Sequence, residues 1–199
     1  MYADIVFPVG NEKEFIEIAE KLGYDAIVFV YNNAKDLPEL KIKSKVKIFT
    51  GLLSDEKGIQ KAKKKVDVVL VKSTGNDRWV LEKSNAGILF GLEEVHKKDF
   101  MHHRASGLNQ VLCKIAAKKG KKIAFPFSTL LNSSNMLRAQ IMGKVMQNIR
   151  FCRKYKVRTV FASFAKKPYE MRAVNDLIGF AASLGMHPKE AKDSLSWIK

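Results

Sequence analysis

The chain is poor in histidine and cysteine, and each shortage removes a class of function. Four histidines occur in 199 residues, His96, His102, His103 and His187. None makes an H-x-H or H-E-x-x-H pattern, so the spacings that hold zinc are missing. Adjacent His102 and His103 point opposite ways on an extended backbone and do not aim at one metal. The two cysteines, Cys113 and Cys152, lie among apolar residues of predicted helices with no CxxC pair, which reads as buried thiols in a reducing compartment. A G-x-S-x-G elbow is absent, and no pair of carboxylates recurs at one strand level. No catalytic residue and no metal-ligand set is therefore assigned. No apolar run approaches the ~18 residues of a membrane span, and MYADIVFPVG lacks the features of a secretory signal. A cytoplasmic protein without membrane contact is the expectation.

Acidic residues are also scarce: 36 Lys+Arg stand against 20 Asp+Glu, a formal charge of +16. Each phosphate neutralised by a cation releases condensed counterions, so such an excess points to a nucleic-acid partner. Lysine enrichment by heat adaptation normally brings Glu with it. Here the acids do not keep pace.

What the sequence does hold is a regular alternation of strands and helices, with no linker or composition break, so residues 1–199 are expected to form a single domain. The strands predicted are Tyr2 to Phe7, Asp25 to Val30, Val46 to Gly51, Val66 to Val71, Gly87 to Gly91, Lys122 to Phe127 and Arg158 to Ala165. Runs such as IVF, AIVFV and VVLV are continuously apolar, as parallel strands covered on both faces require. Helical patterns lie between them: NEKEFIEIAEKLG with Asn11 as N-cap and Gly23 as stop, EKGIQKAKKK, NDRWVLEKS, ASGLNQVLCKIAAKKG, the segment 136–158, YEMRAVNDLIGFAASLG and a last helix from Pro188. The series predicts an α/β TIM-like barrel of seven or eight parallel strands. Its eighth unit is degenerate, because Gly185 to Pro188 leaves little room for a strand. An open doubly wound sheet would call for G-x-G-x-x-G, which FPVGNEKE does not supply.

Arginine is the informative cation, with seven against a lysine majority. Arg78, Arg104, Arg138 and Arg172 each fall at or just before a helix that follows a strand, the last three 34 residues apart. In a barrel those positions share the C-terminal rim, beside helix N-termini that favour anions. Two readings stand: the four ring one mouth and grip phosphate, or they pair with acids such as Asp99, Glu170 and Asp176 and tie down the rim. In the helix 136–158, Leu137, Ile141, Val145, Ile149 and Cys152 form the core arc, and Arg138 sits within it. Its opposite strip, Gln140, Gly143, Lys144, Gln147, Arg150 and Lys154, faces RNA, protein or solvent. Asn132, Ser133 and Ser134 either cap that helix or contact phosphate.

The runs RASGLNQVLCKIAAKKGKKIAFPFSTLLN, MGKVMQNIRFCRKYKV and ASFAKKPYEMRAVNDLIGFAASLGM, in this order and spacing, resemble the protein component 3 family of archaeal and eukaryal ribonuclease P. The resemblance implies a barrel subunit of the ribonucleoprotein that removes 5′ leaders from precursor tRNA. It implies that the RNA does the chemistry with Mg2+ while this chain binds no cofactor. It also implies, as partners, the ribonuclease P RNA, protein component 2 in a heterotetramer, and the other ribonuclease P proteins. The family is similar in fold to polymerase and histidinol phosphatase hydrolases, yet Tyr2-Ala3-Asp4 stands where those begin with an H-x-H strand. RNA contact is carried over to Arg104, Lys114, Lys122, Arg138, Lys144, Arg150, Lys154, Lys166 and Arg172, with Arg78 added from its place on the rim. The alternatives are a metal-dependent phosphoesterase using His102 or His103 with Asp99, and an assembly module with incidental charge.

Overall fold

The computed structural model describes residues 1–33, 44–54, 66–96, 98–99, 101–102 and 104–198. Seven strands, β1 Ala3–Val6, β2 Ala26–Tyr31, β3 Lys47–Leu53, β4 Val68–Lys72, β5 Ile88–Phe90, β6 Lys122–Pro126 and β7 Arg158–Ala162, lie side by side in chain order. Every neighbouring pair is parallel. The helices are α1 Glu12–Lys21, α2 Asp77–Lys83, α3 Gln110–Lys119, α4 Phe127–Leu131, α5 Asn135–Lys154, α6 Val174–Ser183 and α7 Pro188–Leu195. Among the described residues there is no eighth strand, and the chain turns from α6 into α7 as the short Gly185 stretch requires. The expected helix EKGIQKAKKK lies outside the described residues.

Strand alternation separates two apolar layers. Ile5, Val28, Val30, Leu70, Ile88 and Val160 fill the barrel interior. Ile27, Phe29, Val71, Leu89, Phe125 and Phe161 face the helices, where Phe15, Leu81, Cys113, Ile149 and Leu177 cover them. Seven strands make a narrow barrel, so small residues recur inside it. Ala3, Ala26, Ala124 and Ala162 are all inward, and a Cβ at Gly51 would lie 3.0 Å from Val30 Cγ2.

Closure falls to β1 and β7, which share one parallel bridge, Val6 to Ala165, with Phe7 N donating to Ala165 O at 2.8 Å. Asp4 completes the seam with its side chain. Its Oδ1 accepts from Ser163 N at 2.7 Å and Ile5 N at 2.9 Å, and Oδ2 from Ser163 Oγ at 2.6 Å. Burial pushes the Asp4 carboxyl up to about 6 in spite of these donors, which favour the ionised form.

Three local expectations are corrected. Asn11 accepts from Val9 N, not from the first turn of α1. The segment from Ala105 does not begin α3, because Gly107 has φ +77° and a Cβ there would collide with the carbonyl of Leu92. The helix starts only after Asn109, whose Oδ1 caps Val111 N and Leu112 N at 2.9 and 3.0 Å. Likewise 169–185 is not one helix, since Met171 and Ala173 are extended and α6 starts at Val174.

Candidate nucleic-acid interface

Helix α5 has two buried faces. Ile141, Val145, Ile149 and Cys152 pack on the barrel as expected, whereas Leu137 at the exposed first turn is 45% accessible and does not join them. The second face is Gly143, Lys144 and Asn148, also buried. It is covered by the long connection between β5 and α3, which runs lengthwise along α5. Arg104 Nη1 donates to Gly143 O at 2.9 Å, Gln147 Nε2 to Ser106 Oγ at 3.1 Å, and Asn148 Nδ2 to Ser106 O at 2.9 Å. Tyr155 Oη then donates to Gln110 Oε1 at 3.2 Å, where α3 begins. The outward strip read from the sequence is thus half occupied, leaving Gln140, Arg150 and Lys154 exposed.

Lys144 is the anchor of this strap. Its side chain is 3% exposed, and Nζ donates to His96 O at 2.5 Å while lying 3.7 Å from Asp99 Oδ1. Asp99 Oδ1 in turn accepts from Ala105 N at 3.0 Å. Nearby, Glu93 is buried in the 3-10 turn Leu92–Glu94, and neither carboxylate oxygen has a hydrogen-bond partner among the described residues. Burial first, and then the charge of Glu94, push the Glu93 carboxyl up to about 7.

The rim arginines do not converge on one mouth. Arg138 donates from Nε to Leu130 O at 2.8 Å and from Nη2 to Ser133 O at 2.9 Å, satisfying carbonyls at the end of α4. Arg172 donates from Nη1 to Met171 O at 2.8 Å and Tyr169 O at 3.1 Å, with its guanidinium 5.6 Å from the Phe127 ring. Arg78 pairs with Glu82 at 3.2 Å on the open face of α2. Arg104 lies on Gly143, nine residues into α5. The bracing partners are backbone carbonyls and Glu82, not Asp99, Glu170 or Asp176.

The mouth itself is a cavity of about 910 Å³ with Phe7, Phe90 and Phe164 at its floor and Lys72, Glu94 and Lys166 on its walls. None of Arg78, Arg104, Arg138 or Arg172 lines it. Glu94 is held by Lys72 Nζ at 2.7 Å and Thr129 Oγ1 at 2.9 Å. Asn132 and Ser133 reach the mouth, but Ser134, at the N-cap of α5, makes no side-chain cap bond. Lys114, Arg150, Lys154 and Lys166 are exposed and carry no ion pair among the described residues. Lys122 lies at the other end of the barrel, at the start of β6.

Residues 3–198 match the family model for RNase P subunit p30. This chain belongs to the RNase P subunit p30 family. Ribonuclease P protein component 3 of Methanosarcina mazei is 28% identical over 198 residues, which covers 94% of this chain and 80% of that protein. Its counterpart in Methanococcus maripaludis is 30% identical over 187 residues, 85% of this chain and 77% of that protein. A chain of the cryo-EM structure of archaeal ribonuclease P with mature tRNA superposes with a TM-score of 0.78 at 22% identity, covering 98% of this chain and 87% of that one. The p30 barrel is also similar to histidinol phosphate phosphatase from Lactococcus lactis, solved with zinc, L-histidinol and phosphate: TM-score 0.64, 9% identity, 94% of both chains.

Within that shared fold, this chain uses its β1 acid for barrel closure, since Asp4 is taken up by Ser163 and Ile5. Among the described residues no three His, Cys, Asp or Glu side chains gather as metal ligands. His102 is exposed, His103 lies outside the described residues, and Asp99 is engaged with the strap. Sequence reasoning missed Glu93 and Asn148, polar groups in the buried layer of the p30 strap. Their only sequence signal is a polar residue interrupting an apolar run.

Proposed function

We propose that this subunit binds ribonuclease P RNA through the outer surface of α3 and α5, and that the RNA, with Mg2+, cleaves the 5′ leader of precursor tRNA. The chain supplies cations and a rigid scaffold, and no catalytic group. One observation carries the reading: among the described residues Lys114, on α3, and Arg150 and Lys154, on α5, are exposed and free of acidic partners, and the Gly143 carbonyl holds Arg104 on the same helix α5. Lys166 adds a cation at the mouth. Lys144 contributes to this interface by holding the strap on α5, and Arg138 by tying α4 to the first turn of α5; Arg78 and Arg172 lie outside it, on α2 and before α6. Ribonuclease P protein component 2 and the other ribonuclease P proteins complete the particle, and component 2 forms a heterotetramer with this chain. The cytoplasm is the setting this predicts.

The test is the salt dependence of binding to ribonuclease P RNA. Replacing Lys114, Arg150 and Lys154 together by Gln reduces the slope of log affinity against log salt by about 0.7–0.9 per lost phosphate contact. An unchanged slope, with the fold intact, moves the interface off α3 and α5.

A further inference from the structure

At the N-terminal end of the barrel, away from the interface above, lies a second cleft of about 690 Å³ between the starts of β6 and β7 and helix α7. Lys122 and Arg158 open these two strands and are register partners across the parallel pair. Both share the inward parity of Ala124, Val160 and Ala162, which line the barrel interior. Partners on adjacent strands are about 4.8 Å apart in the hydrogen-bonding direction, so the two cations sit side by side at the barrel's lower opening. Like charges placed opposite each other destabilise a sheet unless an anion lies between them.

Among the described residues no anion is seen between them. Neither Lys122 nor Arg158 has an ion pair among the described residues. Of the acids in the cleft, Glu190 is held by Arg153 at 2.6 Å and by the backbone N–H of His187 at 3.1 Å. Among the described residues of the cleft, that leaves Asp193 as the one uncommitted carboxylate against Lys122, Arg158 and Lys189. Burial, and then the charge of Arg158, lower the Lys122 pKa, which is the signature of an amine short of a counter-charge. The Lys122 ammonium stands 5.7 Å from the Trp197 ring, and the buried Trp197 Nε1 has no hydrogen-bond partner.

We infer that the cleft formed by Lys122, Arg158 and Lys189 is a second RNA-binding site, which takes one backbone phosphate between Lys122 and Arg158. The inference rests on the RNA-binding reading above and extends it to the opposite end of the barrel. Two cations at one inter-strand spacing suit a single tetrahedral phosphate, whose several oxygens accept from both at once.

The experiment measures binding of the full chain to a labelled ribonuclease P RNA transcript across a salt series, for wild type, Arg158→Gln, Lys122→Gln, the double variant of these two, and Lys192→Gln. Lys192 is on α7 and does not line the cleft. Arg158→Gln and Lys122→Gln each reduce the salt slope by about 1 and weaken binding about tenfold. The double variant loses little more than either alone, since both grip the same phosphate, and Lys192→Gln leaves the slope unchanged. Circular dichroism confirms that each variant is folded. Because Arg158 is exposed, its variant keeps the test valid even where Lys122→Gln disturbs Trp197. If wild type binds RNA and Arg158→Gln matches Lys192→Gln, the second site is wrong while the α3–α5 reading stands. If wild type binds no RNA, both fail. If polyglutamate competes with the RNA in wild type and this competition disappears in Arg158→Gln, the cleft takes an acidic protein and the phosphate assignment is overturned.

Discussion

The crossing of Arg104 over α5 makes a quantitative prediction, because Gly143 has two opposing reasons to be replaced or kept. A Cβ at this position would lie 2.6 Å from Arg104 Cζ and 2.7 Å from its Nη1, so Gly143→Ala must displace the guanidinium and break the 2.9 Å bond to Gly143 O. That bond, from a charged donor in a partly buried site, is worth about 1–2 kcal/mol. Against it, Ala in a helix interior is favoured over Gly by about 1 kcal/mol. Gly143→Ala alone should therefore change stability by no more than about 1 kcal/mol, the two effects offsetting each other. In an Arg104→Ala background only the helix propensity remains, and the same substitution should stabilise by about 1 kcal/mol. Urea unfolding of the four members of this cycle, compared at constant m, measures the coupling as about 1–2 kcal/mol. Additivity within about 0.3 kcal/mol would show that Arg104 is not seated on Gly143 and would refute the reasoning.

Protonation gives a second test. Asp4 and Glu93 have folded-state values raised to about 6 and about 7, from 3.8 and 4.5. The native state then holds protons that the unfolded chain has released, so the stability these two groups contribute is full below about pH 4 and is lost as pH rises through about 6 and 7, by on the order of 3 kcal/mol per group. Urea midpoints across this range should flatten in Asp4→Asn and Glu93→Gln, and a wild-type profile already flat would contradict both burials. Lys144→Ala strips the cation from Asp99 and the His96 carbonyl, and thermal unfolding should show a loss of about 3 kcal/mol. A loss below about 1 kcal/mol would mean that the strap is not anchored there. Arg138→Ala should cost about 1–3 kcal/mol by freeing the Leu130 and Ser133 carbonyls while leaving the RNA salt slope unchanged; a lower slope would return Arg138 to phosphate binding.

The barrel was legible because buried parallel strands read as apolar runs, unbroken in β2 and β5 and interrupted in β3, where Lys47 and Thr50 stand among Ile48, Phe49 and Leu52. The helices were legible where a period of 3.6 meets the barrel, as at Ile141, Val145 and Ile149. The face of α5 under the strap was not. Its partners are Arg104 and Ser106, about forty residues earlier, and nothing in the composition of Gly143, Lys144 and Asn148 distinguishes a covered polar face from a solvated one. Of the evenly spaced arginines, Arg172 does lie just before α6, but Arg104 falls six residues before α3 and Arg138 lies inside α5, which follows α4 and not a strand; the spacing said nothing of side-chain direction. The acceptors that turn Arg138 and Arg172 aside are carbonyls exposed by the end of α4 and by the turn Pro168–Glu170, which exist only once the chain has folded.

Under the proposed function, this p30-family subunit supports RNA catalysis without performing it. The most direct measurement is precursor-tRNA cleavage by reconstituted ribonuclease P RNA and its partner proteins, with and without this chain, alongside the chain alone across divalent metals. The account predicts that adding the chain raises kcat/KM and lowers the Mg2+ requirement, and that the chain alone cleaves nothing. Cleavage by the isolated protein, or a reconstituted rate indifferent to its presence, would contradict it.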